Sequence, residues 1–523
     1  MAVVVDVDAV AAPARPTGES STRSPWSVLG PTLVALCAAT AFVVVHPPVG
    51  DLWAARARQS AAGHGVGLTY WFSWFGGGSA PGSYSVLAPY LSTLFGAAGL
   101  GALATVAITP LCWWLLRGAS HPVAATWAAT ITTGFSLWSG RIPFALGTAV
   151  SLAALIAVRS RRPGVAAGWA VLTVLVSPVS GAFLALGLLG TALHSRTHRT
   201  ISVTTMLTAT VSLGAVGLIF GMPGPEGFTA LQALLSVVAL SLFLLTGPPA
   251  YLRTVILISI AICPLLVLIP NGMGSNFQRL IWICLPVAVI ATGTRRLLTV
   301  LLPTCLAICS GTIGTVQDLG VARDVTSSPA YYAPLARELD TIKDLTNYRL
   351  EAVPDGTHAA AFTLLGHAML ARGYETQADN ALNAVLMSTK DLNAVTYKIW
   401  LNNNAVGYVA IDHAGIYPNP EYNLVAKGHL PYLIPVWTNP DWTLYRVANA
   451  TPIVAPPARI LDADQSHLTI EAPQAATIPV RVRWSRFLTA TGPVAAPAAK
   501  LTADGQGWTL LTVAEPGRYV LHG

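Results

Sequence analysis

Residues 301–324 read LLPTCLAICSGTIGTVQDLGVARD, and the chain changes character inside them. As far as Val316 the run is apolar or small, whereas Asp318, Arg323 and Asp324 bring charge back, and from there on Asp, Glu, Lys, Asn and Tyr recur as in a water-soluble protein. Upstream the contrast is sharper. Of the 23 acidic residues only Glu226 lies between Asp51 and Asp318, and the lysines (Lys343, Lys390, Lys398, Lys427, Lys500) all lie downstream. With 53% hydrophobic and 10% charged residues and a mean hydropathy of +0.57, the 523-residue chain departs far from the soluble norm of about 25% charged residues. The part before residue 316 is therefore built for lipid, and the part after it is a module of roughly 200 residues, long enough for its own core. A purely soluble enzyme is excluded.

Apolar runs able to cross about 30 Å of hydrocarbon at about 1.5 Å per residue begin near residues 27, 86, 121, 142, 201, 228, 252, 279 and 296. Residues 164–193 form a further run, broken at Ser177-Pro178 into halves that are each short for a crossing. Proline at membrane depth frees a carbonyl that protein or water must satisfy, so this run reads as a helical hairpin, either two short spans or a re-entrant pair. About 11 spans result. With a cytoplasmic amino terminus, Arg117, Arg159/Arg161/Arg162, Arg196/Arg199, Tyr251-Arg253 and Arg295/Arg296 all fall on the cytoplasmic side, as the positive-inside rule asks. The outer side receives loop 47–85, the turns 139–142, 177–181, 221–227 and 270–278, and the carboxy-terminal module.

The net charge of +7 is thus spread over loops rather than gathered on one face, which excludes a nucleic-acid partner. Six cysteines in apolar segments provide neither a disulfide framework nor a thiolate zinc site, and Cys305 and Cys309, which share a helix face, read as small packing residues. The first 26 residues, rich in Ala, Pro, Ser and Thr, are too polar for a signal peptide core and read as a disordered cytoplasmic tail.

The first outer loop and its flanks, residues 46–89, read HPPVGDLWAARARQSAAGHGVGLTYWFSWFGGGSAPGSYSVLAP. Its DLWAARARQSAAGHG segment is expected to form an interfacial helix, with Leu52, Trp53, Ala55 and Ala57 toward lipid and Arg56, Arg58 and Gln59 toward headgroups. Tyr70–Phe75 is an aromatic strip suited to a membrane-interface belt or to stacking on substrate. Asp51 stands at the water–lipid boundary, where partial desolvation makes a carboxylate more basic and fit to take a proton from a hydroxyl. Asp is also a favoured helix N-cap, and the two roles are compatible. Glu226 reads as a solvated turn residue. Arg141 and Arg279 lie on the outer side against the positive-inside bias, so each needs a partner, and a lipid phosphate is a bidentate one. With Arg56, Arg58 and His64 they could make a cationic rim around Asp51. Snorkelling to headgroups is the simpler role for any one of them.

This layout, with Asp51, the helix starting there, the Ser177–Gly181 SPVSG hairpin, Asn276-Phe277-Gln278-Arg279, and the tail phrases YKIWLNNNAVGYVA (397–410) and WTLYRV (442–447), resembles the GT-C superfamily of polytopic glycosyltransferases. The resemblance implies a bacterial plasma-membrane enzyme that takes a sugar from a polyprenyl-phosphate carrier and passes it to an envelope glycan or lipid on the outer face. Asp51 would be the general base, and Arg56, Arg58, His64, Arg141, Asn276, Gln278 and Arg279 would hold the carrier phosphate. No ligand motif calls for a metal, and no cofactor is expected. Two other classes remain open. Ion-coupled transport needs ionisable groups inside spans, which the sequence lacks, but passive lipid flipping and a non-catalytic role in envelope assembly do not.

In the module, helices over 328–347 and 391–403 with strands Arg349–Val353, Val406–Ile411, Tyr432–Trp437 and Trp442–Val447 predict an α/β unit. After Pro456-Pro457, alternation over His467–Glu471, Ile478–Trp484, Trp508–Val513 and Arg518–Leu521 predicts a β-sandwich-like piece. His358, His367, Tyr374, Glu375 and Asp379 could line a site facing the membrane, but a satisfied surface or core role is the simpler reading, and without metal-ligand spacing they receive no role. The expected fold is a mainly α-helical polytopic membrane protein with an extracytoplasmic α/β plus β module. It divides into a tail (1–26), a membrane domain (27–315), an α/β module (316–450) and a β-rich module (451–523).

Overall fold

The computed structural model describes residues 26–293, 297–493 and 499–523; nearly all of the expected tail and the Arg295/Arg296 turn lie outside them. The chain is mainly helical, at 58% helix, with β-sheets at its carboxy-terminal end. It divides into two compact units, one gathering residues up to Pro47, Tyr84–Ile219 and Glu226–Leu319, the other Pro48–Ser83, Phe220–Pro225 and Gly320–Gly523. The loop after the first apolar helix thus folds with the carboxy-terminal residues, where the sequence placed it with the membrane domain.

Among the described residues, seven helical stretches lying wholly or almost wholly in the first unit are long and apolar enough to cross a membrane: Ser27–Val45, Ala97–Leu116, Ile142–Arg159, Arg199–Phe220, Ala250–Leu268, Gly274–Thr292 and Thr299–Val321. Pro163–Val176, Pro178–His194 and Ala230–Leu245 are shorter, and Pro122–Trp138 has 17 residues. Fourteen residues of α-helix rise only about 21 Å, so Pro163–Val176 falls short of the hydrocarbon thickness. The run from residue 86 is not one continuous helix. Gly96, at φ 71°, breaks it into Ala88–Phe95 and Ala97–Leu116, because a left-handed residue cannot continue a right-handed helix. The break at Ser177-Pro178 falls where expected, and Ser177 caps the second helix by accepting the Ser180 N–H.

Lipid offers helices no hydrophobic reason to associate, so small residues and hydroxyls hold them together. A Cβ on Gly147 would sit 2.6 Å from Ser177 and Ser180, so only glycine lets these helices approach so closely. Thr109 meets Thr130 at 3.0 Å and Ser139 meets Thr315 at 3.0 Å. The outward surface is apolar, with Leu218 80% and Leu268 76% exposed, as befits a multi-pass membrane protein. Cys305 and Cys309 belong to that exposed surface and not to the packing, unlike Cys112, Cys263 and Cys284.

The second unit holds eleven strands among the described residues. Strands β1 (Arg349–Ala352), β2 (Val406–Asp412), β3 (Leu433–Thr438) and β4 (Trp442–Val447) form a sheet of order β1-β2-β4-β3, parallel only between β1 and β2. Strands β5 (Arg459–Ala463), β6 (His467–Ala472), β7 (Ala476–Arg483), β8 (Thr489–Thr491), β9 (Lys500–Ala503), β10 (Trp508–Val513) and β11 (Gly517–His522) form antiparallel sheets β5-β6-β11-β8 and β7-β10-β9. Leu468, Ile470, Tyr519 and Leu521 from one sheet and Ile478, Val480, Leu511 and Val513 from the other share a core, which makes the pair a sandwich.

The loop 48–83 supplies much of the unit's interior. Trp53 stacks on Phe362 with ring centroids 5.4 Å apart, Trp71 stacks on Trp74 at 4.2 Å, and Tyr70 and Phe72 enter the sandwich core. Hydrogen bonds lock it in: Phe72 N–H donates to Gln465 O (3.1 Å), Leu370 N–H to Ser73 O (3.0 Å) and the Trp74 indole to Ala361 O (3.2 Å). Gly77, at φ 86°, turns where a Cβ would strike the Tyr70 ring at 2.0 Å. The aromatic strip is therefore neither a lipid belt nor a substrate platform, and the helix Gly50–Gly63 buries Leu52, Trp53 and Ala57 in protein instead of lipid.

Candidate functional site

Asp51 lies in the first turn of the helix Gly50–Gly63, whose N-cap is Val49 in extended conformation (φ −84°, ψ 148°). The capping role expected for the aspartate therefore falls away, and its charge still complements the positive end of the helix. The half-buried side chain receives the Tyr374 hydroxyl at 3.5 Å on Oδ1. The Tyr374 ring in turn stacks on His358, centroids 3.9 Å apart and planes 15° from parallel. His358 adopts φ 56°, and Asp355 holds that turn by accepting the N–H groups of Thr357 (3.1 Å) and His358 (3.2 Å). Burial pushes the His358 pKa below its ordinary value of 6.5 against the upward pull of Asp355, Asp379 and Asp51, so the ring is neutral at pH 7. A carboxylate beside a phenol and a neutral imidazole can accept a proton and pass it on.

An ionic network lies in the same unit. Arg372 donates to Glu351 at 2.6 Å and to Glu421, stands 3.9 Å from Asp379, and Tyr397 donates to Glu421 at 2.9 Å. Burial raises the Glu351 carboxyl from its ordinary 4.5 to about 8 in spite of Arg372, and raises Glu421 as well. Burial alone would lower Arg372, but the surrounding carboxylates outweigh it and hold the guanidinium charged. Glu351, Asp355, His358 and Arg372 line a cavity of about 30 Å³, room for a single water. Among the described residues no group of His, Cys, Asp and Glu side chains is arranged to hold a metal.

The loop cations do not make the expected rim. Arg58 is 4% exposed, pairs with Glu375 at 3.1 Å and lies over the Trp74 ring at 5.3 Å, while Ser79 donates to the same Glu375 oxygen at 2.5 Å. Its charge is spent inside the unit, not at headgroups. Arg56 stacks over Trp53 at 5.0 Å, and burial lowers its pKa. At 100° per residue it lies on a different face of the helix from Asp51. His64 is exposed at the other end of that helix, about 20 Å along its axis from Asp51, with Nδ1 2.7 Å from Ser60 O.

In the helical unit, by contrast, two predicted arginines come together. Arg141 is the N-cap residue of the helix Ile142–Arg159 and pairs with Asp318 at 3.7 Å, and the Arg279 guanidinium lies 5.3 Å over the ring of Phe144 in that helix's first turn. Both cations therefore stand at the positive end of one helix, where an anion is favoured. Gln278 is buried and Asn276 half-buried beside Arg279 in the chain, and a π-helical turn over Leu280–Cys284 follows directly. Glu226 is not the solvated turn residue expected: it accepts Ser275 Oγ at 2.9 Å, and its N–H donates to Asn271 O at 2.8 Å, joining two turns.

His358, Tyr374 and Glu375 were passed over in the sequence because their partners, Asp51 and Arg58, lie some 300 residues away, and no local spacing signals such pairs. The chain matches no family model and no curated protein sequence.

Proposed function

We propose that the protein is an inverting membrane glycosyltransferase, which moves a sugar from a polyprenyl-phosphate carrier to a hydroxyl of an envelope glycan or lipid. The observation that carries this reading is the placement of Asp51: it stands half-buried in the first turn of its helix beside the Tyr374–His358 stack. Its carboxylate takes the acceptor hydroxyl's proton as the hydroxyl oxygen bonds to the anomeric carbon. The bond from that carbon to the phosphate oxygen breaks, and the carrier phosphate leaves with the electron pair. Tyr374 orients the carboxylate through its hydroxyl. Charge grows on the leaving phosphate and calls for cations; within the helical unit, Arg141 and Arg279 gather at one helix end, an arrangement that favours an anionic group. The distribution of basic turns supports a plasma-membrane protein with a cytoplasmic amino terminus and the Asp51 unit outside.

The test is reconstitution in proteoliposomes with a labelled polyprenyl-phosphate sugar. Label passing to an acceptor glycan or lipid is the expected result. Carrier crossing the bilayer with its sugar still attached would replace this reading with a lipid flippase, and the absence of both activities, with partner proteins co-purifying, would replace it with an assembly scaffold.

A further inference from the structure

A cavity of about 440 Å³ lies in the Asp51 unit, and none of Asp51, His358 and Tyr374 lines it. The volume is within the range of roughly 300–1,000 Å³ that small-molecule sites occupy. One wall is apolar, with Leu339, Ile342 and Leu345; facing polar groups come from His367, from Asp464 and from Gln465 in the turn between β5 and β6. Gln465 is the informative residue. It is 6% exposed, its Nε2 reaches Ser60 Oγ only at 3.5 Å, and its Oε1 has no hydrogen-bond partner. Exchanging the two amide atoms leaves the same result, one buried amide atom unpaired, and such a group is costly unless a bound molecule satisfies it.

The remaining chemistry narrows that molecule. No lysine or arginine lines the cavity, whereas Asp340 and Asp464 do, so a phosphate or carboxylate is disfavoured and the carrier phosphate does not belong here. The two carboxylates are already engaged. Asp340 holds His367 Nδ1 at 2.8 Å, and Asp464 Oδ1 accepts the N–H groups of Ser466 (2.6 Å) and His467 (2.8 Å). Both are also about half exposed, which weakens their hold on a free cation. A hydroxyl both donates and accepts, which suits an amide, an imidazole and the hydroxyls of Ser73 and Thr346, and the C–H face of a sugar ring suits the apolar wall.

We infer that this cavity binds a short neutral saccharide. As the seat of an acceptor glycan it rests on the transfer reading; as a saccharide site it stands on the cavity alone. The experiment uses the full chain in detergent micelles and saturation-transfer NMR with three neutral disaccharides, mannobiose, cellobiose and trehalose, against glucose 1-phosphate and spermidine. The expected result is transfer to at least one disaccharide and to neither charged probe. Gln465→Met should weaken that binding roughly tenfold, the worth of one hydrogen bond to a buried amide, with the melting temperature retained. His367→Gln, on a partly exposed residue, should weaken it by a smaller factor and serves if Gln465→Met misfolds. No signal from any disaccharide, equal binding in both cavity variants, or preference for a charged probe overturns the inference. Saccharide binding without glycosyl transfer would sink the transfer reading and leave the site standing.

Discussion

In the helical unit the buried polar groups are mostly hydroxyls bonded to their own backbone, Thr105 to Gly101, Thr148 to Phe144 and Ser151 to Gly147, each four residues back. In the Asp51 unit acidic and basic side chains close on one another, Arg58 on Glu375 and Arg372 on Glu351 and Glu421, while Arg349 donates to the Asn404 and Arg481 carbonyls. A helix hydroxyl satisfied four residues away needs no partner from elsewhere, so it survives in lipid. A buried guanidinium must find acceptors, and for Arg58 the carboxylate, that of Glu375, lies 317 residues downstream. The loop after the first span follows the second rule although its sequence neighbours follow the first.

The largest effect expected from breaking this contrast is that of Arg58→Ala, which strands Glu375 and should destabilise the Asp51 unit by about 3–5 kcal/mol. Thermal unfolding followed by tryptophan fluorescence reads it. A double variant Arg58→Met/Glu375→Gln should recover most of the loss, and a single-variant loss under about 1 kcal/mol would mean the pair is not closed. In the helical unit the counterpart is steric. Gly147→Ala forces a Cβ into Ser177 and Ser180 and should cost about 1–3 kcal/mol, seen as faster amide exchange in the helices Ile142–Arg159 and Pro178–His194; unchanged exchange there would contradict the close approach.

A smaller effect comes from pH. The Glu351 carboxyl is raised on folding from 4.5 to about 8, so between those values the folded chain binds more protons than the unfolded one. The stability this group contributes is thus fully present below about pH 4.5 and is lost as pH rises through about 8, and Glu351→Gln should flatten that part of the denaturation midpoint profile. An identical slope in the variant would assign the dependence elsewhere. Smallest of all, Leu268→Ala on the 76% exposed apolar surface should shift stability by no more than about 0.5 kcal/mol in a bilayer mimic, and a larger loss would place Leu268 in a protein contact.

Local patterns carried much of the architecture. Strand β4 and strand β10 fall on the residues that alternation picked out, and the helix break at Ser177-Pro178 follows from proline alone. The strands that went unseen, β5, β8 and β9, are all sheet edges of three to five largely exposed residues, too short and too polar to show a buried face. Of the roughly eleven spans expected, seven helices among the described residues are long and apolar enough to cross a membrane, and the two halves of the Ser177-Pro178 hairpin are short, as their sequence indicates. Asp51 stood out in the sequence by the scarcity of acids around it, and Arg141 and Arg279 by the expected topology, which marks them as arginines against the positive-inside bias. His358, Tyr374 and Glu375 were not, because only tertiary folding brings them to the loop.

The most direct measurement is the transfer rate of an Asp51→Asn variant in proteoliposomes, paired with its melting temperature. Asparagine fills nearly the same space and can still accept from Tyr374, but it cannot take the acceptor proton. The account predicts loss of sugar transfer with the melting temperature held; transfer at the native rate would contradict it.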